Sequence, residues 1–180
     1  MQKEWSRQEG KLPGFSTQNP FGPAILKELK KIELRTWGTH YKGWVVIHAG
    51  KKWYGDIPSE IGKRLNVEQV EKLKKLKEFI RRLELSEEIS HYHFMSLLGV
   101  ARLVRCAKFS SEERYEELKP LHRSNAAWEK DEYGWLFEDV YEFPQAVEGI
   151  RGYPGLFPVD LSLLPVEAIE FMESINAARR

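Results

Sequence analysis

The chain has 180 residues, 42% of them hydrophobic and 31% charged, with a net charge of +1. This composition excludes wholesale disorder, and the length fits one ordinary domain with some decoration and a full core. Cys106 is the single cysteine, which excludes an intramolecular disulfide and any cysteine-rich zinc site.

No stretch approaches the ~20 apolar residues that a membrane-spanning helix needs. Met1 to Lys11 is polar and charged, unlike a secretory leader, so a cytoplasmic protein is expected. The charge is unevenly spread. Residues 1–82 carry 18 Lys and Arg against 9 Asp and Glu, whereas residues 83–180 carry 10 against 18. Such a split suits a polyanionic partner, and equally a basic half packed on an acidic one.

Residues 1–20 are expected to form a tail, broken by Gly10, Pro13, Gly14 and Pro20. Pro23 can open a short helix through Ala24, Ile25, Leu26 and Leu29, because its missing N–H is harmless in a first turn. Lys31–Trp37 alternates as a strand, with Ile32, Leu34 and Thr36 on one face and Glu33, Arg35 and Trp37 on the other. Trp44–Ala49 reads as a second strand, apolar on both faces.

Residues 57–90 predict an amphipathic helix. Asn66 and Gln69 suit its N-terminal cap, Val67, Val70, Leu73, Leu76, Ile80 and Leu83 form its apolar stripe, and Lys72, Lys74, Lys75, Arg81 and Arg82 its basic face. Phe94–Phe109 is the strongest strand, with Gly99 marking a bulge or bend. Glu112–Leu118 suits a short helix. Tyr133–Phe143 places Tyr133, Trp135, Phe137, Tyr141 and Phe143 on one strand face, and Pro144 is expected to end it. Gly149–Pro158 reads as a loop. Pro165 opens a last helix with Val166, Ile169, Met172 and Ile175 along one stripe. Strands joined by irregular loops, with helices at the sides, predict a barrel-like α+β domain.

Several runs together resemble the ASCH domain family of the PUA-like superfamily. Ile25-Leu-Lys-Glu-Leu-Lys30-Lys-Ile-Glu33-Leu-Arg35-Thr-Trp37 is similar to that family's G-x-K segment leading into an E-x-R strand. Thr39-His-Tyr41-Lys42-Gly43 followed by Trp44–Ala49 resembles its T-x-Y-[RK]-G turn and I-H-A strand. Gly99-Val-Ala101, Tyr133-Gly134-Trp135 and Gly152-Tyr-Pro-Gly155-Leu-Phe157 resemble the later elements in the same order.

The resemblance implies a PUA-like β-pseudo-barrel over residues 21–160, elaborated by the helical stretch 57–90. Residues 161–180 would form a C-terminal helix packed on the barrel. It also implies a cleft beside the Lys30–Arg35 segment, and a link to RNA recognition. Two departures stand out. Glu28 occupies a position where the family usually has Gly. Glu33 stands where an amidohydrolase branch has its Thr nucleophile, which argues against deacetylation of a modified cytidine.

Lys30, Glu33, Arg35 and Trp37 make the leading site constellation. An Arg fork can grip phosphate, and an aromatic ring can stack on a base. The alternative for the same residues is a surface Glu–Arg pair with Trp37 in the core. Lys42, in a turn, can meet a phosphate as a point charge. His48 could titrate near neutral pH, or simply be held by a backbone carbonyl at a strand end. His91 and His93 share a strand face, but without further ligands they do not make a metal site. No cofactor or metal is expected.

Three functions remain open at this level. The first is an RNA- or nucleotide-binding module that holds its ligand in the barrel cleft through Lys30 and Arg35. The second is a hydrolase acting on RNA or on a modified nucleobase amide, with Lys30, Glu33 and His48 as its candidate catalytic groups. The third is a protein-interaction domain that docks through the 57–90 helix.

Overall fold

A computed structural model describes residues 8–53, 93–124 and 127–180 of the chain. The helix expected within 57–90, its basic face and His91 lie outside the described residues.

Among the described residues, six strands form one mixed sheet. They are β1 (Lys11–Asn19), β2 (Ile32–Arg35), β3 (Gly43–Trp53), β4 (Ser96–Lys108), β5 (Tyr133–Val147) and β6 (Leu156–Asp160). The spatial order is β2-β5-β4-β3-β1-β6. Among these six, β1 and β3 run parallel and the other pairings are antiparallel. The helices are α1 (Phe21–Leu26), α2 (Glu112–Glu117), α3 (Lys119–His122) and α4 (Val166–Ala178). This is the α+β class expected from the sequence, a curled half-barrel sheet with helices at its sides.

One expectation fails at the N-terminus. Residues 11–19, placed by the sequence in a tail, form β1 and lie between β3 and β6 in the sheet. Pro13 and Gly14 had obscured the strand. Pro13 sits opposite Pro158 in the β1–β6 pair, near the outer edge of the sheet where prolines are tolerated.

The sheet buries both faces. On one, Val45, Ile47 and Ala49 of β3 meet Phe15, Ile25, Leu26, Leu98, Leu103, Trp135 and Phe137, with α1 filling the curl. On the other, Trp44 and Val46 meet Val100, Phe143, Phe157, Val159, Ala168 and Met172 beneath α4. A strand buried on both sides reads as a continuous apolar run, which is why Trp44–Ala49 lacked alternation. Each fully buried Val, Leu, Ile or Phe in these layers contributes about 1.5–3 kcal/mol.

Bulges make strands serve both layers. The β3–β4 and β4–β5 registers shift beside Ile47, Gly99 and Leu103. Gly99 is required for close approach, since a Cβ there would stand 2.4 Å from the Tyr141 carbonyl oxygen and 2.6 Å from Leu26. In β5 the single aromatic face expected over 133–143 does not persist. Trp135 and Phe137 face the α1 layer, whereas Tyr141 and Phe143 join the α4 layer. Between them Asp139 adopts φ +48°.

Pro144 does not end β5, which runs to Val147. Strand β2 pairs with β5 only over Tyr133–Leu136, so one flank of Pro144 carries no strand and loses no ladder bond. On α4 the expected stripe holds at three of its four positions, with Met172 buried beside Ala168 and Ile169 and Ile175 packed on the same layer, while Val166 is 65% exposed.

Candidate anion site at the seam between β1 and β2

The turn between α1 and β2 delivers the first site residue. Glu28 takes the left-handed conformation at φ +54°, and the backbone then turns so that Lys30 N–H donates to the Ala24 carbonyl at 3.1 Å. The Glu28 side chain occupies a conformation that glycine adopts without penalty. Lys30 is thereby directed inward and is only 4% exposed. Its Nζ lies 3.0 Å from Glu33 Oε2 and 4.5 Å from the centroid of the Phe21 ring.

Glu33 and Arg35 follow on the same face of β2, two residues apart as strand geometry requires. Glu33 is 5% exposed, and its Oε1 accepts from Thr17 Oγ1 and lies 3.4 Å from Arg35 Nη2. Arg35 Nη2 also donates to the Ser16 backbone carbonyl at 2.6 Å, with the guanidinium 5.1 Å from the centroid of the Phe15 ring. Ser16 and Thr17 belong to β1. Because β6 pairs with β1 only over Lys11–Phe15, the Ser16–Asn19 flank is left for this contact. The Arg35 bond therefore joins β2, at one end of the sheet order, to β1 near the other.

The cluster itself contains two cations and one carboxylate, and a second carboxylate, Glu132, lies close enough to Lys30 to interact with it electrostatically. Arg35 Nε is buried without a hydrogen-bond acceptor, and Asn19 Oδ1 nearby along β1 is buried without a donor. Asn19 Nδ2 is satisfied by the His93 carbonyl at 2.8 Å. Leaving such groups buried and unmatched costs about 1–3 kcal/mol each.

The other sequence candidates fall elsewhere. Trp37 packs edge-on against Trp135 at 4.6 Å between ring centroids, and its carbonyl accepts from Trp135 Nε1. Lys42 is exposed in the turn before β3. His48 is 1% exposed and has both ring nitrogens engaged, Nδ1 with Ser16 Oγ and Nε2 with the Ile150 carbonyl, each at 2.9 Å. A carbonyl can only accept, so Nε2 carries the proton and Nδ1 accepts from the Ser16 hydroxyl. Burial lowers the His48 pKa from its ordinary 6.5, and the hydrogen bond to Ile150 offsets this in part. His93 pairs with Glu148 across 3.4 Å. Among the described residues, no group of three His, Cys, Asp or Glu side chains converges to hold a metal. Burial raises the pKa of the Cys106 thiol, whose sulfur accepts from Thr39 N–H at 3.3 Å. That is the environment of an unreactive thiol.

Ser16, Thr17 and Asn19 complete the site and were not singled out in the sequence. Their Phe-Ser-Thr stretch holds strand-forming residues, but nothing local announces a parallel pairing with β3.

Among the described residues, no helix is long and apolar enough to cross a membrane. No family model matches the chain, and no curated protein matches it. Among solved structures it is similar to the crystal structure of ASCH from Zymomonas mobilis. That similarity has a TM-score of 0.47 at 11% identity and covers 93% of this chain and 96% of the other.

Proposed function

We propose that the protein binds RNA or a nucleotide-like ligand, with an anionic group of that ligand held at the β1–β2 seam by Lys30 and Arg35. The observation that carries this reading is the buried Arg35 Nε–H left without an acceptor, beside a Glu33 carboxylate that is shared between Lys30 and Arg35. Glu33 orients both cations, and Glu132 adds a more distant negative charge on the Lys30 side. A phosphate oxygen would give Arg35 an anionic partner of its own and an acceptor for its N–H, in the charge-assisted geometry to which a guanidinium is suited. The basic balance of residues 1–82 would favour approach of the polyanion.

Glu33 in this arrangement is an ion-pair partner of two cations, and both nitrogens of His48 are occupied. Neither has the environment of a general base, so binding is better supported than hydrolysis. Trp37 has a core-packing role in this reading, and Lys42 is a peripheral phosphate contact.

The test is fluorescence anisotropy with a short single-stranded oligoribonucleotide and with nucleoside phosphates, across a salt series. Binding should weaken as salt rises. The Arg35→Gln variant should lose most of the affinity while keeping the far-UV circular dichroism of the wild type. Binding unaffected by salt, or equally strong in Arg35→Gln, would overturn the proposal.

A further inference from the structure

Beside the seam, the segment between β5 and β6 is fixed at several points. The Ile150 N–H donates to the Met95 carbonyl at 2.8 Å, and the Ile150 carbonyl accepts from His48 Nε2 at 2.9 Å. Two residues later, Gly152 packs directly on the Ser16–His48 pair. A Cβ at Gly152 would stand 2.1 Å from Ser16 Oγ and 2.5 Å from His48 Cε1, so only glycine fits. From Leu156 the chain is already β6, paired opposite Phe15.

Between these anchors, Tyr153 is 53% exposed. Its ring lies 6.0 Å from Phe157 between centroids, and the Arg151 guanidinium is 5.7 Å from its centroid. Single exposed aromatics are common and need no explanation by themselves. This one differs in being presented by a pinned backbone beside a cation. The segment has already lost the freedom that binding would otherwise remove. An aromatic ring flanked by a guanidinium offers a stacking surface to the π-face of a base.

Ser16 connects this surface to the anion site. Its hydroxyl side meets Gly152, and its carbonyl receives Arg35. Tyr153 is one peptide step beyond Gly152, about 3.8 Å between Cα atoms. Arg35 lies over Phe15 of one layer and Tyr153 against Phe157 of the other, so a ligand that meets both must pass around the Ser16–Asn19 flank that β6 leaves unpaired.

We infer that Tyr153, flanked by Arg151, stacks an unpaired nucleobase of the ligand whose phosphate meets Lys30 and Arg35. The inference rests on the anion-site reading and adds a requirement for a base, which a bare polyanion cannot meet. It also selects single strands over duplexes, because a paired base has no free face to offer.

The full chain is titrated with three probes at one salt concentration: a single-stranded oligoribonucleotide carrying 2-aminopurine, the same strand with abasic sites, and inorganic pyrophosphate. The wild type should bind the intact strand more tightly than the abasic one and quench the 2-aminopurine fluorescence. Tyr153→Ala should weaken intact-strand binding about 5- to 150-fold, the range for loss of one base–aromatic stack. Its pyrophosphate affinity should be unchanged, and Tyr153→Trp should restore strand binding and quenching. If Tyr153→Ala binds the intact strand as the wild type does while Arg35→Gln loses it, the stacking inference fails and the anion site stands. Equal affinity of the wild type for intact and abasic strands also overturns stacking. A wild type that binds neither strand overturns both.

Discussion

Arg35 on β2 donates to the Ser16 carbonyl on β1 at 2.6 Å, a bond between strands that stand four places apart in the sheet order. The same guanidinium faces Glu33 and the Phe15 ring. The residue proposed to meet ligand is therefore also a structural tie.

Arg35→Ala should accordingly cost stability as well as affinity. A hydrogen bond from a charged donor contributes about 1.5–3 kcal/mol, and a loss of that order is expected in urea unfolding. Arg35→Lys should recover part of the stability but less of the nucleotide affinity, because an ammonium lacks the planar fork. Equal recovery of both would show that the fork itself is unimportant.

The Lys30–Glu33 pair should behave as a coupled unit. Removing one partner of a buried ion pair costs about 3–5 kcal/mol, since the other charge is left uncompensated. Glu33→Gln alone should be the more damaging single change, because it leaves both Lys30 and Arg35 without their counter-charge. Combining it with Lys30→Met should give a protein more stable than the two single losses add up to. Guanidinium unfolding of the four proteins provides the cycle, and strict additivity would contradict the coupling.

Acid should weaken the fold through two histidines. Burial holds the pKa of both His48 and His122 below the ordinary 6.5. His122 donates from Nε2 to the Tyr115 carbonyl at 2.9 Å and accepts at Nδ1 from Ser124 N–H at 3.0 Å, which requires the neutral ring. When unfolded, both rings take a proton near pH 6.5. Their contribution is therefore complete above that pH and is lost as the pH falls from 6.5 towards the lowered folded values. Thermal unfolding between pH 8 and 5 should show the melting temperature falling below about pH 6.5. His122→Gln should flatten part of that slope.

Glu28→Gly should stabilise the protein. A side chain in the left-handed region costs roughly 1–2 kcal/mol, against about 0.4–1 kcal/mol for the extra freedom glycine gives the unfolded chain. The exposed Glu28–Lys31 ion pair, 3.5 Å long, adds little to the balance. A rise of about 1–4 °C in melting temperature is expected by calorimetry. A fall would mean that the turn before Lys30 depends on the carboxylate.

The sequence was most legible where chemistry is local. Lys30, Glu33 and Arg35 stand at turn and strand positions whose spacing already placed them together, and Gly99 was marked as a bend. His48 was read as either a titrating group or a strand-end ring held by a carbonyl, and the Ile150 carbonyl is found on it. What escaped was non-local. β1 is built on a parallel pairing and an edge contact with β6, and Pro13 and Gly14 mask its alternation. The change of face within β5 depends on Asp139 and on irregular pairing with β4, which a period-two pattern cannot express. On α4 the stripe Ile169, Met172 and Ile175 was legible, whereas Phe171, which packs on Trp44 and Tyr141, was not singled out.

The position of β1 also governs when the sheet can be completed. Its residues Lys11–Phe15 pair with Leu156–Asp160, so among the described strands the earliest in the sequence waits for the latest. Until β6 has been synthesised, the edge of β1 opposite β3 has no partner over Lys11–Phe15. A nascent chain of this protein therefore carries an unfinished strand until residues 156–160 have emerged, and pairings of such long sequence separation form slowly. Removing residues 1–20 as a dispensable leader would take away the strand on which both β3 and β6 close.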